Sequence, residues 1–240
     1  MVLVLPWVDG VVQSMTYESR VSLSDATAEA ARLPPQYDVI VVGGGSAAAF
    51  HCARAGLRTL LLERHAFAEA GASWVNGVYG GAFDEAGIAR PEAPELRAAG
   101  HRFHLVAGWT GRPVTIEDGG VIDVDMRLLN ARLRAGAAAA GAELRDGVRV
   151  QAIRPGEVVT DEVLHARLVV DATGLGGLFD KRKPHPHDVC TAAQGIYAVH
   201  DAAAARAYFE GFGAAVGETV CFAAVAGGYS IVATRLEEVA

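Results

Sequence analysis

The first strong hydrophobic pattern begins at Tyr37. Tyr37–Val42 reads YDVIVV, a β-branched apolar run bounded by Pro34-Pro35 on one side and three glycines on the other, and it predicts a buried strand. Ala47 to Ala55 has helical texture and is stopped by Gly56. Leu57 to Glu63, LRTLLLE, is a second apolar strand. Strand, glycine turn, helix and strand in this order predict a parallel βαβ unit with a right-handed crossover.

The pattern loosens beyond Arg64. Gly71–Gly77 and Tyr79–Gly81 read as irregular, Pro91–Ala99 as a short helix, and Leu105–Val121 as two short strands. Asp125 has the chemistry of an N-cap. Met126–Ala140 is rich in strong helix formers, with Gly141 at its end. Val148–Ile153 predicts a strand, Glu157–Leu168 a hairpin partner, and Leu168–Ala172 a buried strand running into Thr173-Gly174. Lys181–His187, rich in proline and histidine, reads as a linker. After it come a strand at Ala193–His200 and a helix at Asp201–Phe209, with Asp201 as its cap. Two strands follow within Val220–Thr234, about Gly227-Gly228. No internal repeat is visible.

Composition narrows the classes. At 51% hydrophobic and 20% charged, the 240 residues describe a globular chain with a sizeable core. A formal charge of −7 argues against a nucleic-acid partner, which calls for a basic face. The apolar segments are too short to span a bilayer. Residues 1–8 lack the basic start and cleavage site of a signal peptide. The three cysteines, Cys52, Cys190 and Cys221, form no zinc or disulfide spacing and fit a reducing, cytoplasmic setting. His185, His187 and Asp188 lie close in sequence, but a metal site needs three or four ligands and the expectation is none.

The chemistry-bearing motif is the turn after the first strand, Gly43-Gly44-Gly45-Ser46-Ala47-Ala48. It has the form G-x-G-x-x-A. The first glycine permits the tight turn and the second lets backbone approach a pyrophosphate. The third position, where alanine is tolerated, lets helix and strand pack closely. The helix N-terminus offers free N–H groups and partial positive charge to phosphates. Glu63 ends the second strand at the spacing, about 20 residues past the first glycine, where a carboxylate accepts hydrogen bonds from a ribose. A dinucleotide site is the expectation.

The stretch YDVIVVGGGSAAAFHCARAGLRTLLLER resembles the N-terminal segment of FAD-dependent oxidoreductases of the glutathione-reductase superfamily. Within it the chain is most similar to the para-hydroxybenzoate-hydroxylase-like enzymes, which include aromatic monooxygenases, geranylgeranyl-reductase-like proteins and flavin-dependent halogenases. Val124–Leu133 resembles the helix whose arginine, here Arg127, approaches the FAD phosphates and ribitol. Ala166–Gly174, ARLVVDATG, resembles the second strand-and-turn motif beside the cofactor.

The resemblance implies an α/β fold: a three-layer, Rossmann-like FAD-binding domain over residues 36–180, with part of a β-rich substrate domain over 181–240 and a tail over 1–35. It implies that Gly43, Gly44, Gly45, Ser46, Ala47 and Ala48 line the pyrophosphate. Glu63 would bind the adenosine ribose, and Arg64 would flank the adenine. Val150 would offer backbone groups to the adenine, and Asp171 and Gly174 would shape the turn under the cofactor. Arg127 also reads as a solvated helix arginine, and Asp171 as a turn-capping carboxylate. The implied cofactor is FAD, reduced by NAD(P)H or a partner reductase, and the implied substrate is a small organic molecule.

The loop holding Ser73, Trp74 and Asn76 corresponds to one beside the flavin in several members, and reads equally well as ordinary surface. The Asp171-Ala-Thr-Gly174 form leans towards the reductase- and halogenase-like branches. The chain contains no Gly-Asp dipeptide, which the family places later, and members run longer. A chain lacking the last part of the FAD domain is therefore expected. A non-catalytic flavin-binding fragment and an NAD-dependent Rossmann enzyme are the alternatives. The catalytic residues stay unassigned.

Overall fold

The structure, a computed structural model, describes residues 35–100, 102–174, 177–178, 185, 189, 191–228 and 230–237. The expectations for residues 1–34, for most of the 181–187 linker, and for His187, Asp188 and Cys190 lie outside them.

The chain begins with β1 (Tyr37–Gly43), α1 (Ser46–Arg54) and β2 (Thr59–Leu62), then β3 (Val75–Tyr79), α2 (Gly81–Glu85) and β4 (Leu96–Ala99). Next come β5 (Phe103–Ala107), β6 (Pro113–Ile116), β7 (Val121–Asp125), α3 (Met126–Ala139) and β8 (Glu143–Arg145). The remainder is β9 (Ala152–Arg154), β10 (Glu157–Val159), β11 (Val163–Ala172), α4 (Ala202–Glu210), β12 (Thr219–Ala223) and β13 (Ile231–Arg235). These fall into two compact units, one from 10–73 with 127–188, the other from 74–126 with 189–240.

The first unit is built on a six-stranded sheet in the order β8-β2-β1-β11-β10-β9. β8, β2, β1 and β11 run parallel, while β9, β10 and β11 form an antiparallel meander. The unbroken apolar run of β1 follows from burial on both faces. Val39 and Val41 pack with Ala49 of α1 and Ala137 of α3. Ile40 and Val42 point the other way and pack with Val158, Leu164 and Ile153. Small side chains on the helices permit a close approach. A methyl group on Gly136 of α3 would meet the Phe50 ring of α1 at 2.6 Å.

The second unit holds a four-stranded sheet, β13-β12-β5-β6, and a three-stranded sheet, β3-β7-β4. Only β12 and β5 pair in parallel. Val106, Val220 and Phe222 pack against Phe209 of α4 and Leu236. Asp201 caps α4 by accepting the Ala204 N–H at 2.9 Å, as the sequence predicts. Asp123 and Arg235 form a buried ion pair.

Several expectations need correction. Pro91–Ala99 is a turn followed by β4, not a helix: Pro94 lacks the donor a helix interior needs, and Leu96 and Ala99 find partners on β7. The stretches read as irregular, Gly71–Gly77 and Tyr79–Gly81, overlap β3, which pairs along β7. Of Val148–Ile153 only the end joins a strand. The two short strands expected within Leu105–Val121 are present as β5 and β6, β5 starting two residues earlier at Phe103. Ala193–His200 has no regular structure and is largely exposed, Ile196 at 82%. Leu168 is exposed and Val169–Ala172 half-buried, so β11 is less enclosed than its sequence predicts.

Candidate functional site

Everything described here belongs to the first unit unless stated. From β1 the chain lays β2 and then β8 on one side, and returns to lay β11 on the other. Strand order therefore reverses between β1 and β11. Open parallel sheets bind ligands outside the carboxyl ends of their strands at such a reversal. Two turns leave the strands there, Gly43–Gly45 into α1 and Asp171–Gly174 after β11.

The first turn is tight against the second. Gly43 has φ +91°, and a Cβ on it would lie 2.6 Å from the Ala172 carbonyl oxygen. The Gly44 N–H donates to that same oxygen at 3.2 Å. A Cβ on Gly45 would meet Val41 Cγ1 at 2.5 Å. Gly44 differs: a Cβ there would project into open space. No side chain caps α1, and its first turn, with Ser46, Ala47 and Ala48, carries no acidic residue. The Ser46 N–H donates to the Gly44 carbonyl at 2.9 Å, which leaves the N–H groups of Ala47 and Ala48 at the helix N-terminus, the kind of place where anions bind. Ser46 is buried, Ala47 exposed, and Ala48 packs at the edge of the core.

A shallow, open pocket lies beside this turn, lined by Gly43, Gly44, Ser46, Glu63, Asn130 and Arg134 among others. Glu63 directly follows β2 and is 7% exposed. Its N–H donates to the Arg145 carbonyl, its carbonyl accepts the Val148 N–H, and Oε1 accepts the His65 N–H at 3.0 Å. Oε2 makes no hydrogen bond among the described residues. The backbone of Glu63 is thus held at both its N–H and its carbonyl, and one hydrogen bond orients the carboxylate and leaves the other oxygen available to a ligand hydroxyl.

The remaining expected residues divide. Asp171 accepts from the Thr173 N–H (3.1 Å), the Thr173 hydroxyl (2.6 Å) and the Leu178 N–H (2.8 Å), so it organises its turn. Gly174 follows at φ +71°. Arg127 and Arg64 are exposed and do not line the pocket. Val150 has its side chain in the core and belongs to no strand. Ser73 is exposed. Trp74, 51% exposed, and Asn76 belong to the other unit, Asn76 pairing with Val124 on β7.

Sequence reasoning missed Asn130, Arg134 and Phe67. The first two follow Arg127 at helical spacings of three and seven, so they share its stripe on α3 and were findable from it. Phe67 sits in a loop with no such signal. The Arg134 Nη2 donates to the Phe67 carbonyl at 2.9 Å, and its guanidinium lies 5.1 Å from the Phe67 ring centre. Burial lowers the Arg134 pKa, against the pull of Glu63 and Asp146.

The sequence profile of the family described as FAD dependent oxidoreductase matches residues 38–182, more than half of the chain. The chain belongs to that family. No curated protein matches it. Among solved structures it is similar to a geranylgeranyl bacteriochlorophyll reductase-like protein from Thermoplasma acidophilum, at 24% identity and a TM-score of 0.49 over 58% of this chain and 39% of that one. It is also similar to a myxobacterial chondrochloren halogenase, at 24% identity and a TM-score of 0.46 over 60% of this chain and 38% of that one. An amino acid oxidase of nikkomycin biosynthesis matches at 20% identity and 0.46, over 59% and 52%. The chain thus spans about two fifths to one half of the length of these structures.

The residues present fit an FAD nucleotide. Gly44, with open space where a Cβ would stand, Ser46 at the start of the uncapped α1, and Glu63 line one pocket. Among the described residues there is no cluster of three metal-ligating side chains, and no helix is long and apolar enough to cross a membrane. Cys52 and Cys221 are free thiols.

Proposed function

We propose that this chain forms the nucleotide-binding part of an FAD-dependent oxidoreductase acting on a small organic substrate. The observation that carries this reading is the tight β1–β11 reversal, with Gly44 open and Glu63 beside it in one pocket. The turn Gly43–Ser46 and the N–H groups of Ala47 and Ala48 receive the diphosphate. Glu63 accepts the adenosine ribose hydroxyls, Arg64 and the backbone at Val150 flank the adenine, and Arg127 extends the α3 stripe towards the ribityl chain. Asp171 and Gly174 hold the turn beneath. FAD supplies two-electron redox chemistry when bound, and the protein contributes orientation and electrostatics.

Residues 36–180 include the cofactor domain in this reading, and 181–240 contribute strands to a sheet that serves the substrate. NAD(P)H or a partner reductase is the electron source. The three cysteines without a disulfide framework favour a reducing, cytoplasmic setting. The test is the visible spectrum of the purified protein and the nucleotide released on heating. A flavin spectrum with release of FAD supports the reading. A colourless protein that refuses added FAD and binds NAD overturns it.

A further inference from the structure

Arg134 stands out in the nucleotide pocket. Glu63 and Arg134 are the charged groups among its lining residues. A guanidinium carries five N–H donors. Among the described residues Arg134 uses one hydrogen bond, to the Phe67 carbonyl. The Phe67 N–H is held in turn by Asp146 Oδ2 at 2.9 Å, and the Phe67 ring lies under the guanidinium. Both ends of the Phe67 peptide are thus tied down, and Arg134 is held at the pocket wall with donors to spare. Asn130, one turn earlier on α3, lines the same wall, with Gly71 packed against its side chain.

The charge balance gives this a purpose. A nucleotide diphosphate brings two negative charges to a pocket that already holds Glu63. The first turn of α1 offers roughly half a positive charge. Arg127 lies two turns away, about 10 Å along the α3 axis, outside the lining. We infer that Arg134 is the cation that faces the diphosphate of the nucleotide held in this pocket, offsetting Glu63. The inference rests on the nucleotide-binding reading, but only on the ligand's having a diphosphate. Burial lowers the Arg134 pKa from a very high starting value, so the side chain stays charged at neutral pH.

The test is calorimetric titration of ADP and of adenosine into the full chain, for the wild type, R134Q and R134K. Thermal unfolding of each variant reports folding. R134Q is expected to weaken ADP about tenfold or more, as loss of a charge-assisted hydrogen bond does, with adenosine changed less than about twofold. R134K keeps the charge without the planar fork and falls between. ADP affinity unchanged in R134Q overturns the inference. An equal loss of ADP and adenosine also overturns it, because Arg134 then only holds the Phe67 loop in place. Wild-type protein that binds neither ADP nor FAD overturns both readings, whereas binding of ADP without FAD overturns the flavin reading alone.

Discussion

Gly43 lies directly opposite Ala172 in the β1–β11 pairing, so close that a Cβ on Gly43 would stand 2.6 Å from the Ala172 carbonyl oxygen. The contact joins the two turns that flank the strand-order reversal. It also sets the backbone path that leaves Gly44 facing open space.

Gly43→Ala combines this collision with a positive φ of +91°. Backbone in that region costs a residue with a Cβ about 1–2 kcal/mol, and here the obstacle is backbone that cannot swing aside. The variant is expected to lose about 2 kcal/mol or more of stability, and FAD affinity with it. Chemical denaturation and FAD titration check both.

Gly136→Ala tests the α1–α3 contact. Alanine is the better helix former by about 1 kcal/mol. The added methyl would nevertheless meet the Phe50 ring at 2.6 Å, and overpacking costs about 1–3 kcal/mol. A net loss of stability is expected, and Phe50→Leu in the same chain should recover part of it. A double-mutant cycle measures the coupling. Additive losses would show that the two residues do not press on one another.

Glu218 gives the second unit an acid-sensitive anchor. Burial pushes its carboxyl up. The Ala215 N–H, the hydrogen bonds of Arg102 and His104, and the Arg102 charge outweigh burial and hold it at about 2. The folded value lies below the ordinary 4.5, so the stabilisation is complete above pH 4.5 and is lost as pH falls from there towards 2. Wild-type stability should drop in that window, and E218Q should flatten the drop. An unchanged acid limb in E218Q would remove Glu218 from the account.

Legibility in the sequence followed local physics. The βαβ unit was readable because strand, glycine turn, helix and acid each carry their own signal within Tyr37–Glu63. α3 and the capped α4 were readable for the same reason. β3 and β4 were not: both depend on pairing with β7, which no local pattern encodes. The buried Asp123–Arg235 pair joins residues far apart in the chain and was equally hidden. Spacing alone points to Glu63, which lines the pocket. Arg134, seven residues beyond Arg127 on the same stripe, carries no motif of its own, and only the fold brings it to the pocket wall.

FAD is expected to bind against Glu63 at the β1–β11 reversal. The most direct test is FAD titration, followed by flavin fluorescence, of the wild type and Glu63→Ala, with thermal unfolding in parallel. Wild-type protein should take up one FAD per chain. Glu63→Ala should bind about tenfold or more weakly, from the loss of charge-assisted hydrogen bonds to the ribose, while remaining folded. No uptake by the wild type, or equal affinity in a folded Glu63→Ala, would contradict the account.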